Sequence, residues 1–260
     1  MKKIAIAAMK GGVGKTMLAV NIASTLALEY DKKVLFMDVD PQANSTNYFG
    51  IDEFSDGYLS IKDALEDDLG PQKVVRNTYI DNLKIIGSNI YVTSLELSLF
   101  QSSGREFKIK KYLKKYEKYF SAFDYMIFDT NPSMSVVNQN VFTATDNIFI
   151  ITEASTGGAK GVDLFIDLWN GIAENLDIDN KIEALILNRF SERTNLGKEF
   201  KNYLKNGEYK ELILDNYVKE SVAFKDAESY QKPINLYKSN SKQHKQILAI
   251  VEELFERKVL

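Results

Sequence analysis

Two lysines, three glycines and a threonine lie together near the start of the sequence, in an arrangement suited to binding phosphate groups. A short apolar run, residues 4–9, precedes them, and a helical pattern of apolar residues follows. Glycines allow backbone N–H groups to curl around an anion, and a helix start adds free N–H groups and a partial positive charge. The residues of this turn are Lys10, Gly11, Gly12, Val13, Gly14, Lys15 and Thr16.

This strand, glycine turn and helix match the context of a P-loop. In that motif the final lysine, here Lys15, reaches the outer phosphates of a nucleotide, and the Thr16 hydroxyl holds Mg2+. The general formula requires glycine where this chain has Met9, and the turn opens instead on a second lysine, Lys10. A tight turn without a ligand is the alternative, but it does not require all these residue types together.

Acidic residues end two further predicted strands. Residues 34–37 lead into Asp38 and Asp40, and the apolar run 124–129 ends in Asp129. Apolar strands that alternate with amphipathic helices predict an α/β fold with a doubly wound, mostly parallel sheet flanked by helices. Its ligand site lies at the carboxyl ends of the strands, so the carboxylates and the glycine turn should share one edge. A solvated acidic loop is the alternative, but carboxylates that end buried strands need a cation or donors nearby.

Residues 10–16 resemble the deviant Walker A motif of the ParA/MinD family of P-loop ATPases. Residues 38–42 and 124–135 are similar to the later motifs of that family, and the resemblance extends over nearly the whole chain. It implies a single P-loop ATPase domain over residues 1–260 that binds ATP and Mg2+ and hydrolyses ATP to ADP and phosphate. A departure is Met17, where the family usually has threonine or serine.

The resemblance also implies which residues carry the reaction. Lys10 would reach across a dimer interface to the phosphates of the partner's ATP, so that the homodimer forms with ATP bound. Lys15 would bind the ATP of its own subunit. Asp40 would orient or activate the attacking water.

The same resemblance implies the other binding and switch residues. Asp38 and Asp129 would support the Mg2+ shell together with Thr16, and Asn188 would lie against the adenine edge. The implied nucleotide-binding residues are Lys10, Gly11, Gly12, Val13, Gly14, Lys15, Thr16, Met17 and Asn188. The implied switch residues, which would sense the γ-phosphate, are Asp40, Pro41, Gln42, Thr130 and Pro132.

Composition narrows the functional classes. The 260 residues contain no cysteine and one histidine, His244, which excludes disulfides, thiol catalysis, zinc clusters, iron–sulfur centres and a histidine metal site. No apolar run approaches the roughly 20 residues that span a membrane, and no signal peptide is expected. The net charge is −3, so a nucleic-acid contact must come from a local basic patch.

Two regions are basic enough to provide such a patch. Residues 105–118 carry seven Lys or Arg residues and two Glu at broadly helical spacing, and a surface helix with a solvated lysine face is the preferred interpretation. Residues 181–245 carry 13 Lys or Arg and nine Asp or Glu. We expect sequence-independent phosphate contacts from the second region, although a mixed-charge surface explains any single residue about as well. The candidates are Arg189, Arg193, Lys198, Lys201, Lys205 and Lys219.

The family contains members with different functions, and the sequence distinguishes several of them. Residues 38–42 and 221–227 favour a ParA-type partition ATPase, with a cytoplasmic, nucleoid-associated location and a ParB-like centromere-binding adaptor. A MinD-like membrane switch is the alternative, but residues 247–260 carry three Glu against two cations and favour a packed final helix. Nitrogenase-reductase-like electron transfer is excluded because cysteine is absent. A P-loop amidation enzyme stays open, whereas a tyrosine kinase would require a terminal tyrosine cluster that is missing. An N-terminal helix-turn-helix is not expected before the first strand.

The remaining periodicities predict individual elements. Helices are expected from the glycine turn to about Tyr30, over 61–69, 105–118 and 242–257, and from residue 157 onward. Further strands are expected over 83–86, 147–152 and 182–187, and residues 44–46 are expected to be loop.

Overall fold

A seven-stranded sheet runs through the centre of the computed structural model, which describes residues 1–260. Its order is β3-β4-β2-β5-β1-β6-β7, and neighbouring strands are parallel except β3 and β4. The predicted fold class, a mostly parallel α/β sheet, is confirmed. The strands are β1 (Lys2–Ala7), β2 (Val34–Asp38), β3 (Val75–Asn77), β4 (Leu83–Ile86), β5 (Tyr125–Asp129), β6 (Asn147–Thr152) and β7 (Ile182–Leu187).

Helices connect the strands and cover both faces of the sheet. The first half of the chain forms α1 (Lys15–Leu28), α2 (Asn44–Tyr48), α3 (Ile61–Glu66), α4 (Pro71–Val74), α5 (Val92–Phe100), α6 (Lys108–Lys115) and α7 (Glu117–Phe120). The second half forms α8 (Val136–Ala144), α9 (Thr156–Asn175), α10 (Asn195–Asn206), α11 (Val222–Ser229), α12 (Ile234–Tyr237) and α13 (Lys242–Glu256).

Two hydrophobic cores of similar size, one on each face, hold the helices to the sheet. Ala5 and Ala7 of β1 belong to a core of 36 buried residues, while Ile4 and Ile6 belong to a core of 33. Successive side chains of a strand point to opposite faces, so a strand buried on both sides must be apolar at every position. This is why β1, β2, β5 and β6 read as continuous apolar runs in the sequence.

Most predicted elements agree with the structure. The strands predicted over 83–86, 147–152 and 182–187 coincide with β4, β6 and β7. The first helix ends at Leu28, close to the predicted Tyr30, and the helix predicted over 61–69 ends earlier, at Glu66. In the basic segment Ile109, Tyr112 and Leu113 are buried, with the lysines on the outer face, as the surface-helix interpretation requires.

Some predictions were wrong or incomplete. Residues 44–46, predicted as loop, begin α2, because the buried Asp38 carboxylate accepts hydrogen bonds from the backbone N–H of Thr46, at 3.0 Å, and from its hydroxyl. The single helix predicted over 105–118 is divided into a 3-10 turn, α6 and α7. The strand β3 and the helices α4, α5, α8, α10 and α12 were not predicted.

The final helix is packed, as predicted. Ile247, Ile250, Val251 and Leu254 of α13 are fully buried, and the helix lies against α1. None of the helices combines the length and the apolar character needed to cross a membrane.

Candidate functional site

The glycine turn has the backbone of an anion cradle. Gly12 and Gly14 have φ angles of 77° and 84°, in the left-handed region that glycine adopts without strain. A Cβ at Gly14 would lie 2.1 Å from the side-chain amide nitrogen of Asn188, so any other residue here would displace the Asn188 side chain. The turn leads directly into α1 at Lys15, and its N–H groups therefore join those of the helix start.

Lys15 lies at the floor of the site, paired with the acid that ends β5. Its ammonium group donates to Asp129 Oδ1 at 2.7 Å, and the two side chains are 7% and 1% exposed. The second carboxylate oxygen of Asp129 is buried and has no hydrogen-bond partner. A buried oxygen of this kind favours a cation or a donor beside it, which fits a Mg2+-bound water.

The two acids that follow β2 have different surroundings. Asp38 is fully buried and accepts from the backbone N–H of Asp40 as well as from Thr46. Burial, followed by the nearby charge of Asp129, raises the pKa of Asp38 to about 7. Asp40 lines the cavity above the P-loop, accepts from the backbone N–H of Gln42 at 2.9 Å, and has a pKa raised by burial. Asp40 is therefore the acid that a ligand can contact, while Asp38 supports it from behind.

The first lysine of the turn lies at the mouth of the cavity rather than at its floor. The Lys10 side chain is 42% exposed, and its ammonium group donates to Glu153 Oε1 and, at 3.4 Å, to the Ser155 hydroxyl. Both partners follow β6, and Gly157 at the start of α9 lies beside the Lys10 side chain. Neither Glu153 nor Ser155 was predicted as a site residue, because no motif marks them in the sequence.

The predicted second switch lies between the P-loop and α8. The Thr130 hydroxyl donates to the carbonyl of Ile6 at 2.9 Å, and Pro132 lines the cavity beside Gly11. The buried Asn138 amide donates to the carbonyls of Asn131, at 2.9 Å, and Ser133, at 2.7 Å. Helix α8 therefore fixes the shape of this loop.

The other end of the cavity is formed by the carboxyl end of β7 and by residues 219–228. The Asn188 amide donates to the Val13 carbonyl at 2.6 Å, while its own side-chain oxygen is buried without a partner and fits a donor from a ligand. The cavity has a volume of about 330 Å³. The sequence pattern over 221–227 favoured a ParA-type chain but assigned no residue to the nucleotide site. The structure adds Lys219, Glu220, Ser221, Phe224, Lys225 and Glu228 to the lining.

The predicted site residues are brought together with few exceptions. The cavity is lined by Lys10, Gly11, Gly12, Val13, Gly14, Lys15, Thr16, Met17, Asp40, Gln42, Pro132 and Asn188. Asp38, Asp129 and Thr130 lie behind this lining and are fully buried. Of the predicted switch residues, Pro41 alone belongs to neither group: it is partly exposed and does not line the cavity. The residues present therefore fit a phosphate-bearing ligand at the P-loop and a divalent cation beside Thr16.

The six predicted DNA-contact residues do not form one group. Arg189 and Lys219 line the nucleotide cavity, and Arg193 lies in the exposed loop before α10. The other three, Lys198, Lys201 and Lys205, lie on α10. Two of these pair with acids, Lys201 with Glu192 at 2.7 Å and Lys205 with Asp215 at 2.5 Å.

Comparisons with known proteins agree with this geometry. A family model described as an AAA domain matches residues 1–183. The sporulation initiation inhibitor protein Soj of Bacillus subtilis (strain 168) is 32% identical over 257 residues, with 97% of this chain and 98% of Soj covered. The chain belongs to the ParA-type ATPases of the ParA/MinD family.

Other relatives support this assignment along the whole chain. The chromosome partitioning protein ParA of Myxococcus xanthus (strain DK1622) is 29% identical, with 98% of this chain and 88% of that protein covered. A crystal structure from Borrelia burgdorferi, described as a plasmid partition protein bound to AMPPNP, has a TM-score of 0.83 and 25% identity. It covers 98% of this ParA-type chain, and the alignment includes 99% of the Borrelia chain.

Proposed function

We propose that this chain is a partition ATPase that dimerises when it binds ATP, binds DNA nonspecifically as the dimer, and segregates plasmid or chromosomal DNA. The observation that carries the proposal is the contrast between its two P-loop lysines. Lys15 is 7% exposed and paired with Asp129, whereas Lys10 is 42% exposed at the cavity mouth. One lysine serves the chain's own nucleotide, and the other is available to a second copy. The names of the Myxococcus and Borrelia proteins, a chromosome partitioning protein and a plasmid partition protein, support the same function.

The binding step uses the P-loop and the residues around it. The N–H groups of the glycine turn and the Lys15 ammonium group bind the phosphates, and the base lies between Asn188 and the wall formed by residues 219–228. Mg2+, held by Thr16 with Asp38 and Asp129 supporting its shell, would neutralise charge on the phosphates. Lys10 of each subunit completes the site of the other, so the dimer requires the triphosphate.

The hydrolytic step is assigned to Asp40. Phosphoryl transfer depends mainly on positioning and electrostatic stabilisation, and Asp40 is the carboxylate that borders the cavity near the phosphates. It orients the attacking water. Loss of the γ-phosphate then releases the segments around Pro41, Gln42, Thr130 and Pro132, and the dimer separates.

DNA binding follows from dimerisation. Each subunit makes weak phosphate contacts, and pairing two such surfaces raises the DNA affinity through effective concentration. A ParB-like adaptor bound to a centromere site stimulates hydrolysis and returns the protein to its free state. This cycle implies a cytoplasmic protein that associates with the nucleoid.

A MinD-like membrane switch is the second candidate function, and one observation weighs against it. Membrane attachment by an amphipathic helix needs bulky apolar side chains that can enter the lipid. In α13 those side chains, Ile247, Ile250, Val251 and Leu254, are already fully buried against the rest of the chain.

One experiment separates the two functions. The protein is incubated with ATP, with ADP or without nucleotide, and the same preparation is tested for binding to random-sequence DNA and to anionic liposomes. A partition ATPase should bind DNA in the presence of ATP, but not with ADP or without nucleotide. It should not bind liposomes under any of the three conditions. ATP-dependent liposome binding without DNA binding would overturn the proposal in favour of the membrane switch.

A further inference from the structure

Glu153 faces two cations at the mouth of the nucleotide cavity. One of its oxygens accepts from Lys10, and the other lies 4.0 Å from the Nη1 atom of Arg189. The carboxylate is 22% exposed, while the cations it faces are 42% and 41% exposed. Two positive side chains therefore share one negative charge at the entrance to an anion-binding cavity.

Arg189 is tied to the P-loop itself. Its Nη1 atom donates to the Gly12 carbonyl at 2.7 Å, directly beside the bond from the Asn188 amide to the Val13 carbonyl. Arg189 has a φ of 51°, a left-handed conformation that non-glycine residues adopt rarely. Two successive residues at the end of β7 thus bind two successive carbonyls of the phosphate-binding turn.

The Arg189 guanidinium group has N–H donors that the bond to Gly12 does not use. It carries five N–H donors in all. Arg189 lines the cavity together with Lys10, Gly11 and Gly12, and planar guanidinium groups are well suited to phosphate oxygens.

We propose that Arg189 binds the phosphates of the nucleotide together with Lys10, and that the triphosphate displaces Glu153 from both cations. The inference rests on the proposed function, because it assumes that the P-loop holds ATP. In the nucleotide-free chain Glu153 balances two charges that would otherwise repel each other. The larger negative charge of a triphosphate competes with this carboxylate better than that of a diphosphate, so the cluster favours ATP over ADP.

The test measures the affinity of the full chain for AMPPNP and for ADP by calorimetry, at protein concentrations below and above that at which dimers form. Arg189→Met removes the charge and keeps an unbranched side chain. Arg193→Met is the matched control, because Arg193 is exposed and lies outside the cavity. Glu153→Gln removes the competing anion.

The Arg189→Met variant should lose roughly tenfold in AMPPNP affinity, the range of a charge-assisted hydrogen bond, and less than about threefold in ADP affinity. If Arg189 contacts the nucleotide of a second copy, the loss appears only above the dimerisation concentration. The Glu153→Gln variant should bind AMPPNP about threefold more tightly, as expected for loss of a partly exposed ion pair. The Arg193→Met variant should bind both nucleotides as the wild type does.

Three results would overturn the inference. Equal AMPPNP affinities for Arg189→Met and Arg193→Met at both concentrations would remove Arg189 from the nucleotide site. If Arg189→Met lost affinity for AMPPNP and ADP equally and had a lower melting temperature, Arg189 would only stabilise the P-loop and would not contact the phosphates. An unchanged AMPPNP affinity in Glu153→Gln would exclude the competition. A wild-type chain that fails to bind AMPPNP would instead overturn the proposed function itself, and this inference with it.

Discussion

Lys10 and Lys15 belong to the same short turn, yet their surroundings suit them to different partners. Lys15 is buried, and its charge is matched by Asp129 at 2.7 Å. Lys10 is exposed at the mouth, where it meets only partly buried groups that follow β6. A charge that faces solvent can move to a group on another chain at small cost, whereas the buried Lys15 can meet a ligand only inside the cavity.

This contrast predicts different outcomes for the two alanine variants. Lys15→Ala should abolish ATP binding because it removes the main countercharge for the phosphates, and it should cost about 3 kcal/mol of stability because Asp129 stays buried without its partner. Lys10→Ala should bind ATP normally but fail to dimerise with it. Nucleotide titration, urea unfolding and light scattering measure the three effects. Normal ATP-dependent dimers of Lys10→Ala would contradict the cross-subunit role.

Asp40 gives the second prediction at the residue scale. Its carboxylate borders the cavity, and its hydrogen bond is a local one from the backbone N–H of Gln42, so replacement by alanine removes a group that faces the ligand rather than a contact between elements. Asp40→Ala should therefore keep ATP binding and dimerisation, while turnover falls by at least about a hundredfold. The variant should accumulate as an ATP dimer on DNA, detectable by gel shift. Phosphate release at the wild-type rate in Asp40→Ala would remove this residue from the mechanism.

At the scale of the elements, strand order explains why these residues meet. Strand β5 lies between β2 and β1. Asp129 of β5 is therefore in register with Asp38 of β2 on one side and with Ile6 of β1 on the other. The polar residues that follow the three strands therefore emerge at one edge, beside the glycine turn. Helices α2 and α8 then hold the loops that leave that edge, through Thr46 and Asn138.

Helix α8 provides the prediction at this scale. The buried Asn138 amide holds two carbonyls of the loop that contains Pro132, so Asn138→Ala should destabilise the chain by about 1–3 kcal/mol. The loosened loop should also slow ATP turnover, while ATP affinity changes little because the P-loop is untouched. Gln139→Ala is the matched control, since this side chain makes a single bond, to the Met134 carbonyl. Equal unfolding curves and turnover for the two variants would contradict a role for α8 in shaping the loop.

The helices and strands differ in how well they can be predicted from the sequence. Buried parallel strands such as β4, β6 and β7 are predictable to the residue, because each has a run of buried apolar residues that a polar position such as Lys84 or Glu183 interrupts at most once. Helix α2 is not, since its start at Ala43 lacks a side-chain cap and depends on Asp38, a tertiary contact. Strand β3 has only three residues, at the edge of the sheet.

The residues of the candidate site also fall into two groups, those predictable from local sequence and those that depend on tertiary contacts. The glycine turn and the acids at strand ends are local in sequence and could be predicted from spacing alone. Glu153 and Ser155 could not, because they reach Lys10 only when β6 pairs with β1. The position of Arg189 at the cavity mouth likewise depends on its left-handed backbone conformation after β7. No sequence motif predicts that conformation.

At the scale of the whole molecule, charge distribution limits where DNA can bind. The net charge of −3 opposes binding to a polyanion, so only a local surface can provide the attraction. Arg189 and Lys219 are directed to the cavity and Lys201 is only partly exposed, which leaves Arg193, Lys198 and Lys205 as the exposed candidates of the second basic region. The lysines of α6 form the competing surface, on a helix whose other face packs against the core.

Charge reversal distinguishes these two surfaces. DNA binding should require ATP, show no sequence preference, and weaken with salt at a slope of about −0.9 per phosphate neutralised. Reversing Arg193 and Lys198 to glutamate should weaken binding to all sequences alike and flatten that slope, with ATP dimerisation intact. The matched control reverses Lys111 and Lys114 of α6, where we expect the smaller loss because solvation of a surface helix already explains those lysines. Abolished binding in the control alone would move the DNA surface to α6 and leave the ATPase cycle unchanged, since neither pair of residues borders the nucleotide cavity.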